Sequence, residues 1–243
     1  MTKRIKIIAT IAMLSSLATS CIMYHPQAVD IPLMQHKGDT RIDANFSITS
    51  LFQPAFNVTG TYAFSDWGAG QLHVNWNGNK NVYLQGAFGT YNASWGKYVL
   101  EGYAGYGFGY SSYEPLSNDD DNSSNSNKDN SSTDLSITSL YEGTYQKAFL
   151  QFNTGWAGLL NGCFDIGVGL QGAYFIPNFS QTMTDGKKTT FDTPTPMIEP
   201  QFLMSIGSPN LKVSLKIGFC AFLGEADFGY EPLNVGLGLN YRF

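Results

Sequence analysis

An antiparallel all-β barrel that sits in a membrane is the fold this 243-residue sequence predicts, and three observations predict it. From about residue 40 onward, apolar side chains alternate with polar ones in segment after segment, the period-two signature of strands. These segments run roughly 9–13 residues, the length a tilted strand needs to cross a bilayer. The face opposite the apolar one carries Asp, Glu, Lys, Gln and Arg in mid-strand. A soluble sandwich, the other fold that alternates, would place those groups in its core and penalise them heavily unless they were paired.

Composition points the same way. Only 14% of residues are charged, against 14% aromatic and 26 glycines, where soluble domains carry about 25% charged residues. No stretch beyond the N-terminus approaches the roughly 18 consecutive apolar residues of a helical span. The net charge of −5 argues against nucleic acid as a partner.

The N-terminus reads as a signal peptide over residues 1–20. Lys3, Arg4 and Lys6 precede the apolar run IIATIAMLSSLA, and the small residues Ala18, Thr19 and Ser20 lead into Cys21, a pattern removed on export. SLATSC has the look of a lipoprotein cleavage site, which makes Cys21 an acylated first residue. The usual Leu three residues before the Cys is here Ala18, with Leu17 one further back, so ordinary cleavage nearby is the alternative. Removing residues 1–20 removes three basic residues and no acid, taking the net charge from −5 to −8. Residues 21–39 read as a tether and 40–243 as the barrel.

The strands follow in order. RIDANFSIT sets Ile42, Ala44, Phe46 and Ile48 against Asp43, Asn45 and Ser47. FNVTGTYAF places Phe56, Val58, Tyr62 and Phe64 on one face, and QLHVNW sets Leu72, Val74 and Trp76 against Gln71, His73 and Asn75. NVYLQGAFGTY aligns Val82, Leu84 and Phe88 opposite Gln85; YVLEGYAGYGFGY aligns Tyr98, Leu100, Ala104, Tyr106, Phe108 and Tyr110 opposite Glu101 and Tyr103. GTYQKAFLQFNTG is less clean, with Ala148, Leu150 and Phe152 opposite Lys147, Gln151 and Asn153. CFDIGVGLQGAYF, PMIEPQFLMSI and LKVSLKIGFCAF place Asp165, Gln171, Glu199, Gln201, Lys212, Ser214 and Lys216 opposite their apolar faces. The closing LNVGLGLNYRF alternates to the final Phe243, with Asn234, Asn240 and Arg242 on its other face. The total is about ten strands, within a range of about 8–12. Tyr, Trp and Phe gather near strand ends, as aromatic belts require.

Loop lengths check this independently. The two longest connections, about residues 111–140 and 176–195, both fall between an odd strand and the next even one, whereas SDWGA and GSPN on the other side are short. Long loops on one face and tight turns on the other are what a membrane barrel shows. Cys163 opens strand seven at the turn side and Cys220 closes strand nine at the loop side. A membrane thickness of roughly 25 Å separates them, where a disulfide reaches about 7 Å, so they are not expected to pair.

The C-terminal LGLNYRF, ending in Tyr241 and Phe243, resembles the insertion signal of bacterial outer-membrane barrels. That resemblance implies residence in the outer membrane of a Gram-negative bacterium. It also implies two partners, the lipid bilayer and the outer-membrane assembly machinery that reads the last strand. Pro32, Leu33, Lys37, Gly38 and Asp39, with EGYAGYGFG at 101–109, resemble the opening of uncharacterised Bacteroides-type outer-membrane barrel lipoproteins. This narrower likeness transfers a location and a fold but no activity. In such bacteria an acidic run after the lipid Cys marks surface export; IMYHPQAV at 22–29 has none, so an anchor is expected in the periplasmic leaflet beside strand one.

Chemistry inside the barrel is sparse. Small outer-membrane barrels include hydrolases and acyltransferases that need His beside Ser or Asp at a rim. His25 and His36 fall in the tether; only His73 lies on a strand, facing inward. No G-x-S-x-G elbow, paired metal-spaced His or Cys cluster occurs, and neither a metal nor another cofactor is expected. Asp43, His73, Glu101, Lys147, Asp165, Glu199, Lys212, Lys216 and Arg242 are the lumen-facing polar candidates. They form either a salt-bridged plug or the lining of a narrow pore; about ten strands lies near the closed limit. The acidic SNDDDNSSNSNKDNSSTD lacks the spaced ligands and turn glycine of a calcium loop and reads as solvated surface. The expected function is therefore non-catalytic: envelope structure or surface interaction, with a narrow porin-like channel as the alternative and a membrane hydrolase or acyltransferase behind it.

Overall fold

The computed structural model describes residues 22–26, 29–49, 54–78, 81–113, 140–183 and 186–243. Its strands in chain order are β1 (Ile22–Tyr24), β2 (Thr40–Thr49), β3 (Pro54–Ala63), β4 (Gly68–Asn77), β5 (Asn81–Trp95), β6 (Tyr98–Tyr113) and β7 (Leu140–Leu159). They continue as β8 (Phe164–Thr182), β9 (Lys188–Phe191), β10 (Thr195–Gly207), β11 (Leu211–Phe219), β12 (Ala221–Phe222), β13 (Gly229–Tyr230) and β14 (Leu233–Arg242). Ten of these close an antiparallel barrel: β2 through β8 in sequence, then β10, β11 and β14. Closure comes from β14 pairing back onto β2, Leu237 against Phe46, and from β8 pairing with β10, Gln171 against Glu199. A closed barrel leaves no strand edge without partners.

The alternation sorts side chains as the sequence reading requires. Phe88 is 75% exposed and Leu150 71% on the outside, while Lys147 is 0% exposed and Arg41 1% on the inside. This is a soluble protein turned inside out. One end carries the short connections 64–67, 96–97, 160–163 and 208–210, together with Thr40 and Phe243; it is the turn end. The other, the loop end, carries the connections 114–139 and 220–232. Exposed Phe64, Trp67, Trp95, Trp156, Tyr241 and Phe243 ring the turn end, an aromatic girdle of the interfacial kind. The last strand is pinned there: Phe243 N donates to Thr40 O at 3.0 Å, and Arg242 N to Asn210 O at 2.8 Å.

Three departures from the sequence reading have physical causes. The segment 176–195, expected as loop, begins as strand: β8 continues to Thr182 and pairs with β9, Phe179 against Phe191. Above the apolar belt the polarity of the strand reverses, with Phe175 and Phe179 buried inside and Asn178 and Ser180 outward. The membrane pattern therefore ends although the hydrogen bonding continues. Strands β6 and β7 likewise reach Tyr113 and start at Leu140, trimming the expected 111–140 loop; its residues 114–139 lie outside the described ones. β7 read as less clean because Tyr145 and Phe149 face inward and are buried, so both of its faces are apolar. At 20 and 19 residues, β7 and β8 are roughly ten residues longer than a membrane crossing needs.

The third departure is the tether, residues 21–39. Its described residues 29–34 are not outside the barrel but buried within it. β1 pairs in parallel with β13 at the loop end, and the chain then descends the lumen to a turn at the other end, where Gly38 N donates to Ala63 O at 2.8 Å. Ile22 therefore lies at the opposite end from the start of β2, which removes the basis for an anchor beside strand one. Cys21 and the signal segment lie outside the described residues. Cys163, half-buried at the turn end, and Cys220, buried at the loop end, are both free thiols.

Candidate functional site

The lumen is the site, and the N-terminal segment runs through it. All nine candidate polar residues point inward, eight of them buried and Arg242 half-buried. Arg41, Asp30 and Glu231 join them. Among the described residues, the cations Arg41, Lys147, Lys212, Lys216 and Arg242 thus face Asp30, Asp43, Glu101, Asp165, Glu199 and Glu231. So near a balance of charge suits a paired network better than a pore of one sign.

In the half nearer the turns, charged side chains grip the backbone of the descending segment. Arg41 donates through one Nη to Ile31 O at 2.7 Å and Pro32 O at 2.9 Å, and Arg242 donates to Pro32 O at 2.9 Å and Leu33 O at 3.1 Å. Gln151 and Asn153 donate to Asp30 O at 2.6 and 3.1 Å. Met34 N in turn donates to Glu101 at 2.7 Å. An irregular chain inside a barrel has no ladder partner, and buried backbone groups left unpaired are costly; these side chains supply the missing partners. The Asp30 carboxylate accepts from Thr61 at 3.1 Å and lies 3.5 Å from Lys216, which also pairs with Asp43 at 2.6 Å. Lys212 pairs with Asp165 at 2.6 Å.

Glycine makes room for the segment. A Cβ on Gly167 would lie 3.0 Å from Ile31 Cγ2, and one on Gly169 3.1 Å from Ile31 Cγ1. The GVG of CFDIGVGLQG is therefore a track on which Ile31 and Leu33 lie, both fully buried. Leu33 holds a φ of 52°, a left-handed conformation costing roughly 1–2 kcal/mol for a non-glycine residue, and its neighbours' grip on Pro32 and Leu33 carbonyls holds it there.

In the half nearer the loops the filling is aromatic. Tyr24 of β1 stands edge-on to Phe175 at 4.9 Å and to Tyr145 at 5.5 Å. Phe179, Phe222 and Phe228 complete the cluster. One ion pair is set among these rings: Lys147 to Glu199 at 2.7 Å, with the Tyr24 hydroxyl donating to Glu199 at 2.7 Å. His25 pairs with Glu231 at 2.7 Å, and Val29 N donates to Gln201 at 2.8 Å.

His73 lies in mid-lumen, not at a rim. Its Nδ1 is 2.8 Å from Thr59 Oγ1, and its ring is tilted beside Tyr83. This is not the rim placement beside Ser or Asp that a hydrolase reading requires. Among the described residues no cluster of His, Cys, Asp and Glu is shaped to hold a metal ion. A second set of polar atoms, Asn45 Nδ2 and Oδ1, His73 Nε2, Asn77 Nδ2 and Ser214 Oγ, is buried without a hydrogen-bond partner among the described residues. Most of it lies on β2 and β4. Sequence reasoning missed Arg41 although its parity matches Asp43; Asp30 and Tyr24 carry no periodic signal.

No protein-family model and no curated protein matches the chain. Among solved structures it is similar to the KdgM porin, at 14% identity over 84% of this chain and 99% of that one, with a TM-score of 0.41. It is also similar to the translocator domain of the autotransporter NalP from Neisseria meningitidis, at 13% identity over 84% and 86%, TM-score 0.39. A third is Ail, the attachment invasion locus protein of Yersinia pestis, at 10% identity over 85% and 99%, TM-score 0.36. At such identity and TM-score the likeness carries no argument about what this chain does, and it lends nothing to the narrower lipoprotein resemblance. The barrel rests on its own closed pairing: a ten-stranded, all-β antiparallel barrel threaded by its N-terminal segment.

Proposed function

We propose that this chain is a non-catalytic outer-membrane β-barrel, a lipoprotein acylated at Cys21, whose lumen is closed by its own N-terminal segment. It serves the envelope as a structural or surface-interacting barrel that presents its long loops outside. The apolar exterior and the girdle at the turn end support the membrane setting. Tyr241 and Phe243 at that girdle suit recognition by assembly machinery on the periplasmic side. The single observation that carries the closed lumen is the grip of Arg41, Arg242, Gln151 and Asn153 on the carbonyls of residues 30–33.

Planar-bilayer recording of the full chain tests this. A silent trace is expected. A steadily open channel whose selectivity changes with Lys212→Gln or Glu199→Gln would replace the closed barrel with a pore. That narrow-channel reading has one observation in its favour, the partnerless polar atoms along β2 and β4, which are suited to holding a file of water beside the segment.

A further inference from the structure

We infer that the mature N-terminus leaves the barrel on the long-loop face, so that the acyl chains on Cys21 enter the outer leaflet rather than the periplasmic one. The lipidation and the orientation rest on the function proposed above; the path of the chain rests on its own contacts. β1 pairs with β13 at the loop end, Ile22 against Gly229 and Tyr24 against Tyr230. Glu231 N donates to Tyr24 O at 3.1 Å, and Asn234 Nδ2 donates to Pro26 O at 3.0 Å. The carbonyl grip on residues 30–33 lies further down the lumen, and Gln35 N and His36 N donate to Asp39 at 2.9 and 3.0 Å in the turn at the other end. These contacts order the segment from loop end to turn end without ambiguity of direction.

Cys21 is joined to Ile22 by one peptide bond, a Cα separation of about 3.8 Å. Whatever residue 21 carries therefore starts from the loop face. A lipid there cannot reach the periplasmic leaflet without withdrawing residues 22–34 from the lumen and breaking their contacts with β13, Glu231, Asn234 and the gripping side chains. The chain would be held twice: by its acyl chains in the outer leaflet and by the membrane-crossing strands through which its own tether descends.

The test uses the full chain in a Gram-negative outer membrane. One epitope is inserted between Cys21 and Ile22, another within 117–134 and a third in the 208–210 turn, each in a separate variant. Antibody is expected to bind the first two on intact cells with no gain on permeabilisation, and to bind the third only after permeabilisation. An N-terminal epitope that behaves like the one in the turn overturns the inference. A second measurement avoids insertions: Ile22→Cys with Gly229→Cys, in a Cys163→Ser, Cys220→Ser background. The spacing of paired strands, about 4.8 Å, lies within disulfide reach of about 4.4–6.8 Å. A crosslink on oxidation is expected, and its absence from folded barrel contradicts the path. Incorporation of a labelled fatty acid, lost in Cys21→Ala, reads lipidation separately. No label with an exposed epitope would fail the lipoprotein reading and leave the path standing; label with a hidden epitope would fail the inference.

Discussion

The two halves of the lumen solve one problem by different means. Near the turns, the descending segment is irregular backbone, and Arg41, Arg242, Gln151, Asn153 and Glu101 hydrogen-bond it group by group. Near the loops, the same segment becomes β1, satisfies part of its backbone against β13, and inserts Tyr24 into rings from β7, β8 and the 220–230 connection. Polar groups fill the half nearer the turns, where a buried charge without a partner is costly. Apolar area fills the part where strands outrun the membrane and the barrel must be capped against water. A closed lumen thus needs directional bonds where the filling is main chain and non-directional packing where it is side chain.

That contrast can be broken from either half, and the largest effect is expected at Arg41. Arg41→Met removes three donated bonds and leaves Asp43 with Lys216 alone; a loss of about 3–5 kcal/mol, the cost of stripping one partner from a buried ionic network, should appear in denaturant unfolding of the folded barrel. Phe175→Ala attacks the aromatic half. It should cost about 3 kcal/mol as cavity plus lost transfer energy, with no change in crosslinking between β1 and β13. Tyr24→Phe keeps the ring and removes the hydroxyl that donates to Glu199 and accepts a long bond from Lys147, so a smaller loss of about 2 kcal/mol is expected, typical of a bond to a charged group. A loss as large as that of Phe175→Ala would mean that the upper half depends on the Lys147–Glu199 pair as the lower half depends on its own ionic network. The smallest effect is expected at Gly167→Ala, where the added methyl meets Ile31 Cγ2 at 3.0 Å. About 1 kcal/mol of overpacking, with a favourable coupling to Ile31→Ala in a double-mutant cycle because that change removes the methyl it meets, would place the glycine track in the gripping of the segment.

How much of this was legible in the sequence follows the same division. The ten barrel strands and the inward parity of Asp43, Glu101, Lys147, Asp165, Glu199, Lys212 and Lys216 were readable because lipid imposes a strict period of two on every strand. β8 beyond Tyr174 was not, since above the lipid the apolar residues turn inward and the alternation reverses sign. Residues 22–35 were the least legible. IMYHPQAVDIPLMQ has no period because its surroundings are the inner walls of several strands, not a face of lipid and a face of water. Its partners Gln151, Asn153, Gln201 and Glu231 are more than a hundred residues away. The glycines of GVGLQG were recognisable as relief of crowding, but nothing local said that the crowding residue was Ile31.

Closure of the barrel by residues 22–35 is read by single-channel conductance in planar bilayers. The full chain is compared with a variant in which His36 follows the signal segment and Cys21 directly. A silent full chain and discrete, stable openings from the variant are expected, because removing the segment leaves a polar lumen lined by Arg41, Lys216, Asp43 and Glu101. Identical traces from the two, whether both silent or both conducting, would contradict it.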